Sequence, residues 1–153
     1  MAKGSTFEGM MLNFILCNVQ VSTANVTAAL GLGSSVPGSL TGLWSALHTA
    51  DPTAGSGQNQ SEVSFVGYAR VLTTRSTAGF VVSGSGPATA SPVAAITFPQ
   101  LTSTSTGTAT YWSIGSSSSG AGQILYSGSL SPSINLGQNV TPQITTGSSI
   151  TES

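Results

Sequence analysis

Charge is almost missing from this chain. Three of its 153 residues are Lys or Arg and four are Asp or Glu, which makes 5% charged with a formal net charge of −1; an average soluble domain carries about 25%. Without clustered cations to neutralise phosphates, electrostatic nucleic-acid binding is excluded. The single cysteine, Cys17, excludes an internal disulfide framework and any multi-thiolate zinc site. One His and four acids leave little material for catalysis or metal binding, so no cofactor is expected and the chain reads as a non-enzyme. No apolar segment approaches the ~20 residues of a bilayer span, so no membrane partner is expected.

Small residues fill the space: 27 Ser, 20 Thr and 19 Gly. Disorder does not follow, because disordered chains combine low hydrophobicity with high net charge. This one has a mean hydropathy of +0.24, two Trp, three Tyr and five Phe. Thr favours strands, and spaced aliphatics among Ser, Thr and Gly read as an all-β chain with many turns. Solubility normally rests on mixed surface charge. A surface of hydroxyls and small apolar groups suits a protein packed against others.

The N-terminal segment reads as a helix over about 6–17. Ser5 and Glu8 have capping-box spacing, and Phe7, Met10, Met11, Phe14 and Ile15 repeat at helical intervals. Those five side chains are the expected packing or interface stripe. Lys3 before Met10–Cys17 resembles a signal segment superficially, but Glu8, Asn13 and the bulky Leu16 before Cys17 argue for a packed helix. Cys17 then acts as a small buried hydrophobe.

Residues 18–40, with Gly31, Gly33, Pro37 and Gly38, read as a short strand or loop and a turn. Leu40–Thr49 is a strand ended by Asp51-Pro52, and 53–60 a polar loop. Strands follow around Tyr68–Leu72, Phe80–Val82, Val93–Phe98, Thr108–Ile114 and Gln123–Leu130, where Pro132 breaks the run. Ser83–Pro92 reads as a loop, 135–144 as a last pair of short strands around Pro142, and 145–153 as a loose tail. This spacing predicts one domain over 1–153: an all-β sandwich (about 40–144) of about seven or eight short strands, jelly-roll-like in one form, with one N-terminal amphipathic helix.

Few constellations could carry chemistry. His48 and Asp51 are the only candidates to activate a Ser nucleophile, yet no Gly-x-Ser-x-Gly elbow stands in a strand–turn–helix frame. Asp51 before Pro52 reads as an Asx turn. Glu8, Asp51, Glu62 and Glu152 are too few and too scattered for a carboxylate pair across a cleft. No Lys or Arg follows a glycine-rich loop at phosphate-binding spacing. The Asn-x-Ser/Thr triplets at Asn25, Asn59 and Asn139 arise by chance in so hydroxyl-rich a chain. Arg70, on a strand beside Tyr68, needs a partner if buried, and Glu62 or Asp51 is the natural one. The expected structural hydrogen-bond and ion-pair cluster is therefore His48, Asp51, Glu62, Tyr68 and Arg70.

The run Leu43-Trp44-Ser45-Ala46-Leu47-His48-Thr49-Ala50-Asp51-Pro52, then a Gly-containing loop, Glu62-Val63 and Tyr68-Ala69-Arg70, resembles a family of small tailed-phage virion proteins labelled as head-decoration or tail-fibre proteins. Phe98-Pro99, Tyr111-Trp112-Ser113-Ile114, Ile124–Leu130 and the Gly137 turn are similar to the family's later strands, and the helix has a counterpart there. The resemblance spans about 7–144. It implies a non-enzymatic virion structural protein, made in the host cytoplasm. The first expectation is a capsid decoration (cement) protein on the virion exterior, bound to the major capsid protein as a homo-oligomer, a trimer by family analogy. A tail or tail-fibre component is the alternative. A carbohydrate-binding module using Trp44, Tyr111, Trp112 or Tyr126 is the second.

Overall fold

The structure is a computed structural model that describes residues 5–19, 42–55, 57–84, 87–102 and 104–152. The expectations for 18–40 fall almost wholly outside these residues, as does the side chain of Ser5. Strands in antiparallel sheets make up most of the regular structure of the described residues, with one N-terminal helix, the all-β sandwich class expected. Among them, no helix is long and apolar enough to cross a membrane.

The chain gathers into two compact units, each assembled from separate stretches. Sequence order, read as one domain, does not reveal that division. In the first unit, helix α1 (Ser5–Cys17) packs on β3 (Phe80–Ser83) and β4 (Ala88–Pro92), and β4 also pairs with β9 (Ile150–Glu152). The buried stripe of α1 is Glu8, Leu12, Leu16 and Cys17, whereas Phe7, Met10, Met11, Phe14 and Ile15 are half-buried. The correction is physical: α1 is apolar nearly all round, so periodicity alone could not say which side meets the sheet. The Glu8 carboxylate accepts the Ala88 N–H of β4 (3.3 Å).

Two devices end the helix. Asn18 takes the left-handed conformation (φ 55°) that often ends a helix, and Val19 N–H reaches back to the Asn13 carbonyl (3.1 Å). Arg75 supplies the cation: Nε and Nη2 donate to the Ile15 and Phe14 carbonyls (2.7 and 2.6 Å), Nη1 donates to Asn18 Oδ1, and the guanidinium lies over the Phe14 ring. A positive charge on the last carbonyls of a helix is favourable. We expect Arg75→Met to lower stability by about 1–3 kcal/mol, read as a shift of the denaturant midpoint, with Arg75→Lys recovering only part.

The second unit holds a four-stranded sheet in the order β2 (Val71–Thr74), β1 (Gly42–His48), β6 (Gly107–Gly115), β7 (Ile124–Leu136), and a small pair of β5 (Ile96–Thr97) with β8 (Gln143–Ile144). Leu43, Leu47, Ile114 and Leu101 are fully buried in it. Strand β1 hides both faces, because the segment after it folds back over the side that carries Ala46 and His48.

Four local expectations are corrected. Ser83–Pro92 is not all loop: alternating burial of Ala88, Ala90 and Pro92 makes β4 the central strand of its sheet. Val93–Phe98 shrinks to β5, with Val93 exposed. Pro132 does not stop β7, because the strand is the edge of its sheet and a bulge sets Leu130–Ser133 opposite Thr110 alone, so the missing N–H costs no ladder bond. Residues 145–153 are not a loose tail, since β9 pairs there with β4.

Candidate functional site

The chemistry-bearing side chains of the second unit meet beneath two loops. Arg70 is the centre. It does not lie on a strand, as β2 begins one residue later. Its guanidinium is almost wholly buried, and all five N–H groups are used. Nε and Nη2 donate to the two oxygens of Glu62 (2.7 Å each) in a bidentate pair. Nη1 donates to Gln58 Oε1 (3.1 Å) and the Ser117 carbonyl (2.8 Å), and Nη2 also donates to the Gly120 carbonyl (2.7 Å). The planar fork is what allows one side chain to tie two loops together.

Glu62 also accepts the Tyr68 hydroxyl (3.2 Å), which itself accepts the Leu47 N–H (2.9 Å). Burial pushes the Tyr68 phenol well above its ordinary pKa, so it stays protonated. Tyr68 stacks on Phe98, with ring centroids 6.1 Å apart. His48, the last residue of β1, bridges to Glu62 in antiparallel register. Its Nδ1 lies 2.8 Å from the Gln60 carbonyl, an acceptor only, so Nδ1 carries the proton and Nε2 accepts the Ser113 hydroxyl (2.7 Å). Burial holds the imidazole below its ordinary pKa, opposed by the Gln60 carbonyl and the Glu62 charge.

The structure thus brings together Glu62, Tyr68 and Arg70, with His48 beside them. Asp51 stands apart. It is exposed, and its Oδ1 accepts the Thr53 N–H (2.9 Å) and hydroxyl (2.7 Å) at the head of a single 3₁₀ turn, Pro52–Ala54. These bonds hold its carboxyl below the ordinary range.

Gln58 and Ser113 escaped the sequence reading. Gln58 is fully buried, donates Nε2 to the Trp44 carbonyl (2.7 Å) and lies on Gly115, where a Cβ would stand 2.3 Å from Gln58 Oε1. A glycine closing a strand signals a close approach, yet nothing in the polar run 53–60 says which residue approaches. The Ser117 and Gly120 acceptors are backbone carbonyls and carry no side-chain signature at all.

In form, His48–Ser113 is a nucleophile with its base, the base oriented by a carbonyl. Burial decides against that use: His48 is 0% and Ser113 1% exposed, so no substrate reaches the hydroxyl. The cluster acts as a clamp, joining residues 57–62 to the hairpin loop 116–122, where Gln58 N–H donates to the Gly122 carbonyl (2.7 Å). Trp112 is buried and offers no stacking platform, while Trp44, Tyr111 and Tyr126 are half-buried. Among the described residues no group of His, Cys, Asp and Glu could hold a metal ion. Burial raises the pKa of the Cys17 thiol, which bonds to the Phe80 carbonyl.

No curated protein matches the chain. The family model described as podophage GP4 fiber I protein gp80 matches residues 18–151. That range takes in every residue of the clamp and begins directly after α1, so the helix is not part of what the family model covers. The chain therefore belongs to the podophage GP4 fiber I protein gp80 family and is a structural protein of the phage virion.

Proposed function

We propose that the protein is a fibre component of a podophage virion, built into it through contacts with further copies of itself. The observation that carries this reading is the family match over residues 18–151. It favours the fibre alternative over a decoration protein on the major capsid protein, which was the first expectation from sequence. The poverty of charge supports a packed, non-enzymatic role, since a surface with so few ionisable groups associates through apolar burial and backbone pairing.

Cryo-electron microscopy of particles made with and without the gene tests it. Fibre density is expected to vanish with the shell unchanged; loss of density from the shell surface overturns the fibre reading. A second test concerns the attachment. Raising NaCl from about 0.1 to 1 M shortens the screening length from ~10 to ~3 Å. The protein is expected to stay on particles throughout. Release in moderate salt from intact particles would show that charge holds it.

A further inference from the structure

In the β1–β6 pair, Ser45 stands opposite Ile114 and Leu47 opposite Trp112. The pleat therefore puts Leu43, Ser45 and Leu47 on the same face as Trp112 and Ile114. Leu43, Leu47 and Ile114 are buried aliphatics. The two polar atoms among these five side chains, Ser45 Oγ and Trp112 Nε1, are also buried, and neither has a hydrogen-bond partner among the described residues. Ser45 is 1% exposed and Trp112 7%.

The two exceptions are neighbours. They sit on the diagonal of adjacent cross-strand pairs, where side chains stand about 7–8 Å apart at their origins. An indole N–H can only donate, whereas a hydroxyl donates and accepts. One water satisfies both, accepting from Trp112 and exchanging a bond with Ser45. Buried water in proteins occupies polar sites of this kind and is held by two to four partners. On β7, Gly128 pairs with Trp112, and among the described residues no atom lies within 4 Å of where its Cβ would stand, which leaves room beside this part of the sheet for exchange with solvent.

We infer that Ser45 and Trp112 hold one internal water on this face of the sheet. This accounts for a serine set between two buried leucines.

A crystal structure of the full chain at a resolution that shows ordered water tests the site. Density is expected about 2.7–3.2 Å from both Ser45 Oγ and Trp112 Nε1. Its absence, or a direct bond between the two atoms, overturns the proposal. Ser45→Ala supplies the energetic reading. With the water held as described, the variant raises the unfolding equilibrium constant about three- to tenfold. If Ser45 is a true orphan, removing its hydroxyl makes the protein more stable, and the proposal fails.

Discussion

Arg70→Met should cost about 3–5 kcal/mol, the range for removing one partner of a buried ion pair. That is a large part of the ~5–15 kcal/mol that holds a domain folded. The reason lies less in the attraction lost than in what stays behind. Among the described residues Glu62 keeps only the Tyr68 hydroxyl as a side-chain partner, and Gln58 Oε1 and the Ser117 and Gly120 carbonyls each lose a donor. Arg70→Lys should recover less than half, because a single ammonium cannot reach both Glu62 oxygens and two loops together. The double variant Arg70→Met/Glu62→Leu should cost less than the two single changes summed, since it strands no charge. Urea titrations of the wild type and the four variants measure this. Additive losses, or an Arg70→Met loss below about 1 kcal/mol as for an exposed pair, would show that the clamp does not hold the loops.

The second large effect belongs to His48. Burial holds its native pKa below the ordinary value near 6.5, so the unfolded chain binds the extra proton first as pH falls. The stability due to neutral His48 is therefore complete above about pH 6.5 and declines below it, toward the native pKa, by at most about 1.4 kcal/mol per pH unit. Asp51, held below its ordinary value by Thr53, titrates well outside this window. His48→Phe should remove the slope between about pH 5 and 6.5 and cost about 2–4 kcal/mol at pH 7, because the Ser113 hydroxyl and the Gln60 carbonyl both lose their partner. Denaturant midpoints across pH 5–8 measure both effects. A wild-type slope that survives in His48→Phe would assign the proton to another group.

Residue types that admit few structural solutions were readable in advance. Phe7 to Ile15 could only be a helix at that spacing. Asp51 before Pro52 forms the Asx turn read from those two residues. Arg70 found Glu62 because a buried cation needs an anion and the chain holds only four. The face of α1 was not readable, since Phe, Met, Leu and Ile surround it and only the position of β3 and β4 selects Leu12 and Leu16. Strand β4 was hidden because its one strand former, Thr89, stands among small residues and before Pro92, which read as a loop; its neighbours Phe80–Ser83 and Ile150–Glu152 make it a strand.

Composition by itself determined that this chain is β-rich, nearly uncharged and poorly equipped for catalysis, since those properties add up residue by residue. Tertiary structure alone decided that a glutamine in a polar loop and two backbone carbonyls complete the clamp around Arg70. Hydrogen-bond partners far apart along the chain are chosen by where the backbone brings them, and a carbonyl looks the same at every position of the sequence.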